Sequence, residues 1–164
     1  ASLRDPSFAH LVSVADKSRH IQPEILCFEF NCSAWSTAPA ETKRFIEAMR
    51  AARFKLALCI NNESEMPGLK SPGLEIDFLK VDARFVERSQ SDSTAAKTFA
   101  QIKQHAHRHD AVIIARNVDR KNLKALVNAS GIKIFQGYEI ATPVDINWAS
   151  FVELPFKQTQ LNPI

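Results

Sequence analysis

Apolar residues occur along the chain in five short runs that are rich in β-branched and aromatic side chains. Runs of a few such residues, bounded by polar or turn-forming segments, are typical of buried β-strands. The predicted strands cover residues 25–30, 55–60, 78–81, 111–115 and 133–135. Because most of these runs are apolar almost throughout, they predict strands that are buried on both faces.

Between the runs, apolar residues recur at the spacing of one helical face. This pattern predicts helices over residues 5–17, 40–52, 93–107 and 120–129. Asp5 and Pro6 supply a cap and a first-turn proline for the first helix, while Ser130 and Gly131 follow the last one as a glycine cap. Strands that mostly alternate with helices predict an α/β fold with a parallel sheet.

The length of 164 residues is enough for one globular domain. Residues 61–73 contain two prolines and two glycines and are predicted to form a loop between two strands. The chain shows neither a long apolar segment nor the features of a signal peptide, so we expect a cytoplasmic protein without membrane contact. We assign residues 1–155 to the domain and residues 156–164 to a C-terminal tail.

The charged residues give little sign of nucleic-acid binding. The net charge is +3 and the basic residues are scattered, so polymeric nucleic acid is not an expected partner. Cys27, Cys32 and Cys59 lack the spacing of a zinc site and are expected to be buried thiols. The histidines at 105, 107 and 109 fall at a predicted helix end and are interpreted as a solvated face and not as metal ligands.

Four stretches, in order and at matching spacing, resemble the EAL-domain family of cyclic-di-GMP phosphodiesterases. They are "FEFNCS" at 28–33, "FLKVDARFVE" at 78–87, "VIIARNVDRKNLKAL" at 112–126 and "IFQGYEIATPV" at 134–144. The resemblance implies an EAL-type (β/α)8 TIM-like barrel, of which this chain covers roughly the C-terminal two thirds. Gln136 then ends a late strand at the rim of the barrel where ligands bind.

The family hydrolyses its substrate with two divalent cations that are held largely by carboxylates. Glu29 matches one metal-binding glutamate of the family, but Cys32 replaces another. Cys59 and Ile60 align with the family's paired aspartates, and Arg116 stands where the family has a glutamate. By resemblance the domain is degenerate, so we expect no catalytic residue, no bound metal or other cofactor, and no enzymatic activity.

The resemblance also implies a set of ligand-binding positions. They are Glu29, Lys80, Asp82, Arg116, Asp119, Gln136, Gly137 and Tyr138. Some have simpler explanations, since Glu29 can pair with Lys80, and Lys80 and Asp82 can belong to a salt-bridged barrel interior. Arg116 either binds a phosphate through two parallel hydrogen bonds or neutralises Glu29 or Asp82.

Two functions follow from this set of residues. In the first, the domain is an inactive regulatory receptor that binds cyclic di-GMP without metal, in bacterial signalling, and acts on other domains or a partner protein. In the second, it no longer binds nucleotide and serves as a protein–protein interaction module. Metal-independent binding of the nucleotide distinguishes the two.

Overall fold

The computed structural model describes residues 22–70 and 74–143, and the statements below refer to these ranges. The described chain contains five strands, each within two residues of a predicted one. They are β1 (Cys27–Asn31), β2 (Lys55–Ile60), β3 (Phe78–Asp82), β4 (Val112–Arg116) and β5 (Ile134–Phe135). The predicted strands are therefore confirmed. The predicted helix over residues 5–17 and the tail at 156–164 lie outside the described residues.

Helices follow the strands along the described chain. They are α1 (Ser33–Thr37), α2 (Pro39–Ala51), α3 (Met66–Leu69), α4 (Ala83–Arg88), α5 (Ser93–Arg108) and α6 (Lys121–Ala129). The three long ones, α2, α5 and α6, confirm the predictions. The other three were not predicted, since helices of four to six residues are too short to show a helical period. The predicted loop at 61–73 thus contains a 3₁₀ turn (Glu63–Glu65) and α3.

The five strands form one parallel sheet in which spatial order equals chain order, β1-β2-β3-β4-β5. The register places Cys59 beside Lys80 and Asp82 beside Arg116 on neighbouring strands. Since side chains alternate between the two faces of a strand, paired residues project from the same face of the sheet. The carboxyl ends of all five strands therefore meet at one edge, as the prediction of a parallel sheet requires.

One face of the sheet is covered by helices and forms the core. Its side chains are almost fully buried and include Leu56, Leu58, Ile60, Leu79, Val81 and Ala115. The rings of Phe30 on β1 and Phe45 on α2 meet edge to face at 5.9 Å. The opposite face carries Glu29, Lys80 and Arg116 toward the carboxyl edge, whereas Val112 and Ile134 lie exposed toward the other edge. We call this second face the open face.

Asp77, just before β3, joins three elements through its carboxylate. Its oxygens accept hydrogen bonds from Lys55 Nζ at 2.8 Å, from the Leu56 amide at 2.8 Å and from Arg50 Nη1 at 3.0 Å. Burial acts to raise the pKa of this carboxyl, but the hydrogen bonds from Lys55 and Leu56 and the charge of Arg50 outweigh it. The pKa of Asp77 therefore lies below its ordinary value of 3.8.

Candidate ligand-binding cleft

A cleft of about 310 Å³ lies at the carboxyl edge of the sheet, on the open face. It is bounded by the ends of β1, β3 and β4 and by the segment that follows β5. Its lining residues are Glu29, Lys80, Arg116, Asn117, Asp119, Gln136, Gly137, Tyr138, Ala141 and Pro143. The carboxyl edge of a parallel sheet is the usual place for ligands in α/β proteins, which makes this cleft the candidate site.

Seven of the eight predicted ligand-binding residues line this cleft, and the eighth, Asp82, lies beside it. Asp82 caps α4 by accepting a hydrogen bond from the Arg84 amide at 2.8 Å. Its other oxygen accepts one from Asn117 Nδ2 at 2.6 Å. Asp82 thus positions a side chain of the cleft, and its role as a direct ligand residue stays a prediction.

Lys80 is the most buried charged residue of the cleft, with 6% of its surface exposed. Its ammonium group donates to Glu29 Oε1, which is the pairing that the sequence left open. The Cys59 thiol lies 3.8 Å from Glu29 Oε2 as a weak donor. Burial is the main reason that the pKa of Cys59 is raised, so the thiol stays protonated. Because the protonated thiol carries no charge, the positive charge of Lys80 is balanced by Glu29.

Arg116 behaves differently from Lys80. Its guanidinium donates to Asn61 Oδ1, although the β3–β4 register places it beside Asp82. Asn61 is held in turn by Glu65, which accepts from its backbone amide at 2.7 Å and from Nδ2 at 3.1 Å. Arg116 forms no ion pair with Glu29 or Asp82 among the described residues, so the alternative in which it neutralises them is not what the structure shows.

One donor of Arg116 also lacks a partner. Its Nε is buried and makes no hydrogen bond with any described residue. Buried polar atoms in native proteins are usually paired, because an unpaired one loses its interaction with water without gaining another. The guanidinium therefore lacks a carboxylate partner among the described residues and retains an unused donor at Nε.

The wall of the cleft after β5 is joined to the loop after β4 by backbone contacts. The Val118 amide donates to the Gln136 carbonyl and the Glu139 amide donates to the Val118 carbonyl, each at 3.0 Å. Asp119 Oδ1 accepts from the Tyr138 amide at 3.0 Å. The two segments are thus held as one wall, from which Tyr138 projects with 65% of its surface exposed.

Gly137 is required at this junction. It has φ of +155°, and a Cβ built on it would lie 2.4 Å from the backbone N and O of Val118. Real Cβ atoms do not approach backbone atoms this closely, so only glycine allows the two segments to meet. The second positive-φ glycine, Gly131 at φ +94°, serves only as the turn after α6, since a Cβ added there would meet no atom within 4 Å.

Sequence reasoning missed several positions of the candidate cleft. Asn117 lines the cleft at a positive φ of 59°, and Asn61 orients Arg116. A polar residue one or two positions after a predicted strand was a usable signal for both, since strand ends point toward the ligand edge. Ala141 and Pro143 also line the cleft, and nothing in their residue types pointed to that position.

Two sequence interpretations are corrected by the structure. Cys27 is exposed and not buried, because it lies at the start of β1 on the open face, whereas Cys32 and Cys59 are buried as predicted. His105 does not belong to a solvated face, since its Nε2 is buried without a partner among the described residues. His107 and His109 are exposed, as predicted.

The parallel sheet, with helices on one face and a candidate ligand cleft at its carboxyl edge, defines the class of protein as an α/β domain. A family model of the EAL domain matches residues 1–143, so this chain belongs to the EAL-domain family. The resemblance drawn from the four motifs is therefore confirmed. A comparison with curated proteins gives no match.

Solved structures similar to the chain are EAL proteins. They include the EAL enzyme Bd1971 bound to cAMP and cyclic di-GMP, with 19% identity and a TM-score of 0.70 over 90% of this chain and 39% of that one. The FimX EAL domain of Pseudomonas aeruginosa, bound to c-di-GMP, has 20% identity and a TM-score of 0.69 over 86% and 58%. The PaMucR phosphodiesterase in complex with c-di-GMP has 17% identity and a TM-score of 0.70 over 90% and 60%.

These likenesses confirm the predicted fold class, a TIM-like barrel. The barrel is partial, because this chain spans only 39% to 60% of these three matched chains. In the part of the chain that the structure describes, no helix is long and apolar enough to cross a bilayer.

The prediction that the chain is not an enzyme is wrong. Solved structures similar to this member of the EAL-domain family include proteins described as an EAL enzyme and as a phosphodiesterase. The prediction rested on counting lost carboxylates. Because the chain spans 39% to 60% of the matched chains, that count covers only part of a barrel and does not decide the activity.

The described residues by themselves do not fit the two-cation chemistry expected from the resemblance. Within residues 22–70 and 74–143, no group of three or more His, Cys, Asp or Glu side chains could hold a metal ion. Glu29 is occupied by Lys80, and both oxygens of Asp82 accept hydrogen bonds. Arg116 adds a positive charge at the end of β4, beside Asp82, which disfavours a cation there.

Proposed function

We propose that the cleft binds cyclic di-GMP without a divalent cation and that Arg116 binds one of its phosphates. The chain would then act as a nucleotide-responsive regulatory module. The proposal is carried by one observation, the guanidinium of Arg116, which enters the cleft without a carboxylate partner among the described residues and with a buried Nε unpaired. Guanidinium groups bind phosphates through two parallel hydrogen bonds and need no metal to do so.

The remaining lining residues suit a nucleotide. Gln136 offers an amide, Gly137 allows close approach of the backbone, and the exposed ring of Tyr138 offers a surface on which a base can stack. The cleft of about 310 Å³ is at the small end of ligand sites, which span roughly 300 to 1,000 Å³. We therefore expect it to contact one nucleotide half of the cyclic dinucleotide.

Calorimetric titration of cyclic di-GMP tests this function. We expect micromolar or tighter binding that is the same in EDTA and in excess Mg²⁺. The Arg116→Gln variant is expected to bind about tenfold more weakly, the loss typical of a hydrogen bond to a charged group. Chromatography of the titrated samples reads out hydrolysis at the same time.

Arg120→Gln is the matched control, because it removes the same charge four residues away. Arg120 pairs with Glu87 at 2.9 Å, is exposed and does not line the cleft, so its loss is expected to leave the affinity unchanged. Equal losses in both variants would contradict the role of Arg116. Binding that disappears in EDTA would contradict a metal-independent receptor.

The second function, a protein-interaction module, is supported by a different observation. Val112 and Ile134 lie on the open face with 41% and 46% of their surface exposed, away from the charged cleft. Exposed apolar side chains on one face favour contact with protein. This function predicts that titration with cyclic di-GMP gives no heat in either EDTA or Mg²⁺. A protein partner and a cytoplasmic location stay predictions.

A further inference from the structure

A second cavity lies on the helical side of the sheet and shares no residue with the cleft. Its volume is about 200 Å³, and it lies between α3 and the second half of α5. The lining residues are Met66, Leu69, Lys70, Gln101, Gln104, His105 and Arg108. The residues from α5 are spaced three, four and seven positions from Gln101, so they form one stripe along that helix.

The polar residues of this cavity are all hydrogen-bond donors or neutral amides. Lys70 and Arg108 supply two positive charges, and no acidic residue lines the cavity within the described chain. Among the described residues, neither of them forms an ion pair, whereas Arg50, Arg88 and Arg120 each do. The cavity is therefore locally positive without an internal counter-charge.

The side chain of His105 independently indicates that the cavity takes a ligand. Its Nε2 is buried and forms no hydrogen bond among the described residues. Burial, together with the charges of His109 and Arg108, lowers the pKa of this imidazole, so it is neutral at pH 7. A neutral imidazole carries one N–H and one lone pair, and a buried nitrogen of either kind is expected to have a partner.

We propose that this cavity binds the phosphate group of a small molecule, either free phosphate or a phosphate monoester. A tetrahedral phosphate offers oxygens in several directions. The guanidinium of Arg108, the amides of Gln101 and Gln104 and the ring of His105 line the cavity from one stripe of α5, and the ammonium of Lys70 belongs to the residue that follows α3. Met66 and Leu69 are already buried, so they close the floor and leave little apolar surface for the body of a ligand.

The experiment is a titration of the 164-residue chain with sodium phosphate, followed by the imidazole nitrogen signals in two-dimensional NMR at constant ionic strength. The His105→Gln variant assigns the His105 signal. We expect a saturable shift of that signal with millimolar or tighter affinity. Sodium chloride at equal ionic strength is expected to leave it unchanged.

The Arg108→Gln variant is expected to weaken phosphate binding about five- to tenfold, as for a lost charged hydrogen bond. Lys97→Gln is the matched control, because Lys97 lies on the same helix, is exposed and does not line the cavity. A linear, non-saturating shift, or an equal loss in both variants, would overturn the proposal. So would a response to acetate as strong as that to phosphate.

A second arm separates the two sources of the group. Phenyl phosphate that binds at least as tightly as inorganic phosphate indicates a monoester site, whereas exclusion of phenyl phosphate indicates a site for the free ion. Cyclic di-GMP, a phosphodiester, is expected not to move the His105 signal. The result of the phosphate titration therefore does not depend on whether cyclic di-GMP binds in the cleft.

Discussion

Replacing Gly137 by alanine is expected to lower the free energy of unfolding by about 3 kcal/mol, from backbone strain together with overpacking. The added Cβ would lie 2.4 Å from the Val118 backbone N and O and 2.6 Å from its carbonyl carbon. Backbone atoms within a packed wall cannot rotate away as a flexible side chain does. The two segments must therefore separate, which breaks the hydrogen bonds that Val118 makes with Gln136 and Glu139.

Urea unfolding followed by circular dichroism measures this change, and Gly131→Ala is its matched control. Gly131 also has a positive φ, of +94°, but its added Cβ would meet no atom within 4 Å. The control is therefore expected to cost only the conformational strain, about 1 to 2 kcal/mol. Equal losses in the two variants would show that contact with Val118 is not the cause.

Replacing Asp77 by alanine is expected to cost about 2 to 3 kcal/mol, as for a lost hydrogen bond between charged groups. The carboxylate accepts from the Lys55 and Arg50 side chains and from the Leu56 amide. Its removal leaves that amide without its acceptor and two cations near each other. Asp77→Asn keeps the shape and one acceptor oxygen but removes the charge, and is expected to lose less than the alanine variant.

The charge contribution of Asp77 has a defined dependence on pH. Because its pKa in the folded protein is depressed below 3.8, folding favours the ionised form. The stability difference between the native chain and Asp77→Asn is therefore expected to be fully present above about pH 4 to 5 and to vanish as the pH falls through the folded pKa. Urea midpoints of both proteins at neutral, mildly acidic and strongly acidic pH measure this stability difference. A stability difference that grows toward acid pH would contradict the role of the Asp77 charge.

The strands and long helices could be predicted from the sequence, because near-continuous apolar runs such as Leu56 to Ile60 and the helical period of α5 each depend on local pattern. The short helices could not. Ser33–Thr37 and Met66–Leu69 are held by contacts with the rest of the fold, for example the Cys32 thiol, which lies 2.9 Å from the Glu65 carbonyl. A few residues of sequence carry no period that reveals such turns.

Which residues line the cleft could be predicted largely from the predicted parallel sheet. In a parallel sheet, residues at successive strand ends meet at one edge, so Lys80, Arg116 and Gln136 had to lie close together. The partners of each side chain could not be predicted, because they depend on rotamers and loops. Arg116 bonds Asn61 in a segment predicted to be a plain loop, and His105 lines a cavity together with residues of α3, a helix the sequence did not reveal.

The agreement between strand order and chain order also has a kinetic consequence. Each strand pairs only with neighbours in the chain, so the β1–β2 pair is complete in sequence by Ile60, before any residue of β3 is needed. Pairing of near neighbours closes small loops and loses little chain entropy at each step. During synthesis, which proceeds at roughly 5 to 20 residues per second, the sheet can therefore grow strand by strand, while the cleft, which needs Gln136 and Gly137, is assembled last.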